Sequence, residues 1–175
     1  MKAVAVGLIG LVGLAYVGTW ASGYSVAVNP SVSMPRGLYL LKPVGDLSRG
    51  AVVAACIPNR ESSRLYVERG YLPESKRCPS GAAPVIKPIV AGPGDRVTLD
   101  DDGVTINGML VAYSEIDDED SKGRPMPHVS FGDLSLGNDQ FFLLATHAAR
   151  SLDSRYFGPI RDSDVIAQVS PLVTE

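Results

Sequence analysis

The chain has 175 residues, 45% of them hydrophobic, and a formal net charge of -3. That length suits one domain with at most a small appendage, and the charge offers no basic footprint for nucleic acid. The two cysteines have no histidine near them and so offer too few ligands for a metal site, and no metal or cofactor is expected.

The first element is apolar. Residues 3–21 carry no charge, and a helix of that length rises roughly 28 Å, close to the hydrocarbon thickness of a bilayer. Gly7, Gly10, Gly13 and Gly18 would weaken a helix in water but are tolerated in lipid. Lys2 precedes the run and favours an N-in, C-out orientation, while Tyr16 and Trp20 near the far end suit the interface. Residues 1–23 therefore read as an N-terminal membrane anchor. A cleaved signal segment stays open, because Ala21-Ser22-Gly23 has the small-x-small form of a cleavage site. A buried soluble helix is the third reading, disfavoured by the lack of a polar face; the other two put residues 24–175 outside the cytoplasm.

The next stretch is Ser31-Val32-Ser33-Met34-Pro35-Arg36-Gly37. Two hydroxyls flanking a valine, followed by a Pro-x-Gly turn, make a poor packing element and a plausible held nucleophile. Beyond it, short apolar runs alternate with turn residues. Strands are expected at 38–41, 51–57 and 85–90, with Pro88 demoting the third to an edge or a bulge. Strands at 96–99 and 104–106 flank the turn Asp100-Asp101-Asp102-Gly103. Asn107-Gly108 leads into a strand at 109–113, and 141–145 and 165–169 complete the set. No long amphipathic helical period follows the N-terminus, so the fold class is mostly β, an antiparallel and barrel-like sheet domain behind one hydrophobic helix. Residues 58–84 read as a polar excursion. Residues 114–127, with Glu115, Asp117, Asp118, Glu119 and Asp120, read as a solvated acidic loop. Cys56 and Cys78 would pair in an oxidising compartment and staple the excursion, worth roughly 3 kcal/mol. Two unpaired thiols remain the alternative.

A serine nucleophile needs a base and donors for an oxyanion. His128 lies beside a Pro-rich loop and His147 in Thr146-His147-Ala148, and both read as surface or hydrogen-bonding residues. A lysine serves only when neutral, which an apolar setting favours. Lys87, within Val85-Ile86-Lys87-Pro88-Ile89-Val90, has the most apolar neighbours of any lysine after the first segment. Lys42, Lys76 and Lys122 lie next to Pro43 or in polar loops. An outward-facing strand lysine is the ordinary reading of such a position, and the residues alone leave both readings open.

Four groups of residues occur in order. They are Ser31-x-Ser33-Met34-Pro35, then Arg49-Gly50-Ala51-Val52-Val53, then Ile86-Lys87 with Pro93-Gly94-Asp95, then Ser151-Leu152-Asp153-Ser154-Arg155-Tyr156-Phe157-Gly158-Pro159. Together they resemble the boxes of the type I signal peptidase (leader peptidase) family. The Ser-Met-Pro-Arg-Gly-Leu-Tyr form and the terminal Arg-Tyr-Phe-Gly-Pro resemble its conjugative-transfer, TraF-like branch, whose peptidases mature pilin subunits. Val32 between the serines, the adjacency of Met34 and Pro35, and Pro88 after the lysine depart from the general family; the first two suit the transfer branch.

That resemblance implies a signal-peptidase type of β fold and a serine endopeptidase with Ser33 as nucleophile and Lys87 as general base. It implies that Ser31 donates to the oxyanion, that Ser151 helps orient the lysine, and that Asp153 and Arg155 form a supporting charged pair. It implies a membrane-tethered propilin or preprotein as substrate, with head-to-tail cyclisation as a further expectation of the branch. It places the chain at a bacterial inner membrane, contacting lipid through residues 3–21, with its catalytic domain in the periplasm, or wholly periplasmic if the segment is cleaved. Other transfer-apparatus proteins are possible partners, and nucleic acid is not a direct one. The alternatives are a general type I signal peptidase acting on secretory precursors and a non-enzymatic membrane-tethered scaffold.

Overall fold

The computed structural model describes residues 23–175. The expected anchor or signal segment lies outside them but for Gly23, and no helix among the described residues is long and apolar enough to cross a membrane.

Among the described residues eleven strands form two antiparallel sheets, as the alternating short apolar runs require. They are β1 (Ser25–Asn29), β2 (Gly37–Lys42), β3 (Val52–Ala55), β4 (Val85–Ala91), β5 (Arg96–Asp100), β6 (Gly103–Ile106), β7 (Met109–Leu110), β8 (Gly132–Ser135), β9 (Gln140–Leu143), β10 (Ile160–Arg161) and β11 (Val165–Thr174). The larger sheet runs β1-β2-β11-β3-β4-β9-β10 and the smaller runs β7-β6-β5-β8. The long β11 does two jobs. Its first half pairs with β3 and its second half with β2, so it ties the N-terminal hairpin to the body of the sheet.

The cores follow the strand alternation. In β4 the residues Val85, Lys87, Ile89 and Ala91 are buried, while Ile86, Pro88 and Val90 between them are half-buried. Val85 and Ile89 join Val53, Phe141, Leu143, Tyr156 and Phe157 in the main core. A second core under the small sheet joins Val97, Leu99, Val104 and Ile106 to Phe142 and Leu144. Successive residues of β9 thus feed opposite cores, as a period of two demands.

Three expectations need correction, and of the two readings at Pro88 the structure shows the bulge. Pro88 does not sit on an edge strand: β4 lies between β3 and β9. The Ile89 N–H and C=O both bond toward the β3 side, to Ala51 O and Gly50 N. By alternation the Pro88 nitrogen faces β9, and there the register shifts between Ile89 and Ala91. Its carbonyl still accepts from Leu144 N–H at 3.3 Å. The missing donor therefore falls beside the irregularity in the ladder, which is how an interior strand accommodates proline.

The excursion 58–84 is not wholly irregular. It carries helix α1 (Glu61–Glu68), whose buried residues are Ser63 and Tyr66. The Ser63 hydroxyl takes the Arg60 N–H at 3.4 Å and donates to Pro58 O at 2.5 Å, closing the helix start. A polar helix with one large buried side chain leaves too little periodic signal to read. The strand expected over 109–113 stops at Leu110, because the chain turns through Tyr113 at a φ of 58°. Finally, the acidic loop is only partly solvated. Asp120 is held by Tyr71 and Arg124, whereas Asp118 stays exposed beside His128.

Cys56 and Cys78 form a disulfide with Cα atoms 5.4 Å apart. The excursion is thus stapled at that bond. It is pinned again where the Tyr66 hydroxyl donates to Tyr156 O at 3.2 Å.

Candidate active site

Ser33 lies in the loop joining β1 to β2, where Asn29 and Gly37 are paired in register. Three inter-strand steps separate β2 from β4 in the sheet order, which in a flat sheet is a spacing of about 14 Å. Yet Lys87 Nζ donates to Ser33 Oγ at 2.7 Å. The sheet must curl, and the hairpin loop must fold over its buried face, to make that contact. Gly37 helps the loop rejoin the sheet. Its φ is 143°, and a Cβ there would meet Val173 O of β11 at 2.0 Å, so no larger residue fits.

Both partners are buried, Ser33 at 6% exposure and Lys87 at 5%. Lys87 points to the core face because it occupies the Val85/Ile89 phase of the strand. Its other hydrogen bond goes to Ile86 O at 3.2 Å. No ion pair involves Lys87 among the described residues. Burial pushes its ammonium down from 10.5 to about 8. The Asp153 carboxylate opposes this shift and the Arg155 guanidinium adds to it. A substantial neutral fraction near pH 8 gives the amine a free lone pair toward the Ser33 hydroxyl.

Ser31 completes the nucleophile loop. Its Oγ lies 2.9 Å from Ser33 Oγ and accepts the Ser33 N–H at 3.2 Å. Two donors, the Ser33 amide and the Ser31 hydroxyl, therefore converge beside the nucleophile. In the free site the amide donates to the Ser31 oxygen and the Ser31 hydroxyl pairs with Ser33 Oγ, so an arriving oxyanion would have to replace the Ser31 oxygen as the amide's acceptor. Ser31 is exposed, so its hydroxyl has room to turn.

The C-terminal box reaches the same place from the other side of β4. Asp153 caps the short helix α2 (Ser154–Phe157) by accepting the Arg155 N–H. The Asp153 carboxylate takes Arg155 Nε at 2.8 Å and Arg155 Nη2 at 2.8 Å, a bidentate pair. Both residues are fully buried. The remaining guanidinium protons go to Glu115 O, Ala149 O and Ser151 O, so one side chain anchors the acidic loop and the 149–151 turn together. Asp153 also accepts Ala145 N–H, and Ser154 Oγ accepts Leu143 N–H. These bonds lock the box to β9, the neighbour of the strand that carries Lys87. Ser151 lines the cleft with Ser33 and Lys87. Its Oγ is buried and makes no hydrogen bond among the described residues.

A cleft of about 740 Å³ opens over the pair. One wall comes from the stapled excursion, through Tyr71 and Leu72, and the other from the acidic loop, through Asp117 and Glu119. The two walls are joined where the Tyr71 hydroxyl donates to Asp120 and Arg69 donates to Pro125 O at 2.6 Å. Neither histidine bonds Ser33. His128 pairs with Asp118 and Val129 O, and His147 is exposed. Among the described residues no group of three or more potential ligands is placed to hold a metal.

Sequence reasoning missed Asn29, whose side chain bonds four times within the nucleophile loop. The Asn29-Pro30 dipeptide is a turn signal and was the available clue. It also missed Tyr71, which sat unmarked in the excursion.

The family model described as "Signal peptidase, peptidase S26" matches residues 1–173. The chain is 34% identical over 176 residues to a plasmid transfer protein TraF of Escherichia coli, covering 99% of this chain and 97% of that one. It is 35% identical over 178 residues to a conjugal transfer protein TraF of Agrobacterium fabrum, again covering 99% and 97%. Among solved structures, a signal peptidase I of Enterococcus faecalis aligns at a TM-score of 0.39 and 21% identity, covering 71% of this chain and 97% of that one.

Proposed function

The chain belongs to the signal peptidase, peptidase S26, family, and from that premise we propose that it is a membrane-associated serine endopeptidase with a Ser33/Lys87 dyad, acting on a propilin of a conjugation system. The observation that carries the reading is the 2.7 Å bond between Lys87 Nζ and Ser33 Oγ in a buried setting, with no ion pair to Lys87 among the described residues. The conjugative substrate is supported by the names of the full-length relatives.

In this mechanism neutral Lys87 removes the Ser33 hydroxyl proton as Oγ adds to the scissile carbonyl. The Ser33 amide and Ser31 hydroxyl hydrogen-bond the tetrahedral oxyanion. The Lys87 ammonium then protonates the departing amine, and the C–N bond breaks to leave an ester on Ser33. Water, deprotonated by Lys87, resolves the ester by hydrolysis. If the amino terminus of the same substrate attacks instead, the product is a circle one water lighter. Ser151 is assigned to fixing the lysine amine, since its unpartnered hydroxyl lines the same cleft. Asp153 and Arg155 are assigned to holding the Ser151 turn.

The test is incubation of membranes carrying the protein with a tethered propilin of its own transfer system, followed by product masses. Cleavage should require both Ser33 and Lys87: Ser33→Ala and Lys87→Ala should each abolish it while the protein stays folded. Normal cleavage by either variant removes the dyad. The product mass separates the linear from the circular outcome.

A further inference from the structure

The nucleophile loop poses a physical problem. Seven residues, 30–36, lie between β1 and β2, a hairpin connection too long to be fixed by turn geometry alone. Ser33 must nonetheless be held within a fraction of an ångström, since a misplacement of about 1 Å can cost on the order of 100-fold in rate. The serines' mutual hydrogen bonds lie within the loop itself, and the one bond from outside, Lys87 Nζ to Ser33 Oγ, holds the hydroxyl rather than the loop backbone.

Asn29 holds that backbone. It is the last residue of β1 and only 8% exposed. Its Oδ1 accepts the Ser31 N–H at 3.2 Å. Its Nδ2 donates to Ser31 O at 3.0 Å, Met34 O at 3.1 Å and Pro35 O at 3.1 Å. Both ends of the loop are thereby drawn onto one amide group. Pro35 O is gripped a second time, by the Tyr39 hydroxyl of β2 at 2.6 Å, and Tyr39 is itself 1% exposed. No other side chain type of this size offers a donor and an acceptor on one rigid plane.

We propose that Asn29 is a positioning residue of the catalytic machinery, acting through the backbone of residues 31–35 to set the Ser33 and Ser31 hydroxyls, with Tyr39 as its second clamp. The amide does not touch the reacting atoms. It fixes the carbonyls on either side of Ser33, and so the direction of the Ser33 amide and of both hydroxyls. Asn29→Asp is the informative change. It keeps the volume and the acceptor for Ser31 N–H but turns a carboxylate oxygen toward three carbonyls. Asn29→Ala removes all four bonds.

The inference rests on the serine-peptidase reading for its kinetic consequence, so two measurements separate the two ideas. Hydrogen exchange of the full-length protein reads the loop without any substrate. In Asn29→Ala the amides of residues 31–34 should exchange at least ten-fold faster, with β3, β4 and β9 unchanged. Processing of the propilin reads catalysis. In Asn29→Asp kcat should fall 10- to 100-fold with KM within two-fold of wild type, and Tyr39→Phe should lower it several-fold. In a Ser31→Ala background the cost of Asn29→Asp should shrink, because part of its effect is the placing of Ser31. Unchanged exchange in residues 31–34 overturns the proposal, whatever the wild-type protein cleaves. So does a kcat near wild type in folded Asn29→Asp, or a loss fully additive with Ser31→Ala. Absence of processing by the wild-type protein counts against the peptidase reading instead, and leaves the exchange result to decide on Asn29.

Discussion

Replacing Lys87 by Met tests whether the buried amine is held toward its neutral form. Folding lowers the lysine from 10.5 to about 8. At one pK unit per about 1.4 kcal/mol, the native state carries a penalty of ~3 kcal/mol where both the native and the unfolded chain keep the lysine charged. Between pH 8 and 10.5 the unfolded chain binds more protons than the native one, so this contribution makes stability rise with pH there. Below pH 8 the penalty is fully present; above 10.5 it is gone. Methionine has similar volume and no charge, but it forfeits the hydrogen bonds to Ser33 Oγ and Ile86 O, at about 1 kcal/mol each. Lys87→Met should therefore be more stable than wild type by ~1 kcal/mol at pH 7 and less stable by ~2 kcal/mol near pH 10.5. The assay is urea unfolding of both proteins in the same detergent at the two pH values, compared as differences so that other titrating groups cancel. A variant destabilised equally at both pH values would refute the reasoning, because it would mean that the native site accommodates the ammonium well.

Other expectations follow from the same geometry. Asp153→Ala leaves the fully buried Arg155 guanidinium without its bidentate partner and should cost ~3–5 kcal/mol in urea unfolding; a loss under 1 kcal/mol would mean that Arg155 rearranges to water. Cys56→Ser with Cys78→Ser opens a loop of sequence separation 22 and should cost ~3 kcal/mol. It should also raise KM more than it lowers kcat, since the excursion carries Tyr71 and Leu72 to the cleft; stability loss with unchanged KM would separate the staple from the cleft wall.

The β architecture was legible because short alternating runs between turn residues permit little else. Lys87 shows where local reading stops. Its neighbours mark it as a lysine in apolar company, but its facing inward depends on sharing the Val85/Ile89 phase of a strand buried between β3 and β9. Pro88 argued for an edge or a bulge, and the register shift beside it is the bulge by which an interior strand tolerates proline. The helix of the excursion was hidden by its polar surface, with Tyr66 its one large buried side chain. Asn29-Pro30 is legible as a turn signal, but the clamping role of Asn29 is not. Its four partners are backbone atoms of a loop whose shape is itself set by long-range folding, and no spacing rule encodes that. The pairing of Asp153 with Arg155 is local, two residues apart, yet its reach to Glu115 O ties together segments distant in sequence.

The most direct test of the account is the covalent state of Ser33 during turnover. The full-length protein is mixed with its tethered propilin, quenched in acid within the first turnovers, and digested for mass spectrometry. The account predicts an acyl group esterified to the peptide containing Ser33, absent in Ser33→Ala and labile to hydroxylamine. Cleavage that proceeds at the wild-type rate in Ser33→Ala, with no adduct on that peptide at any time, would contradict it.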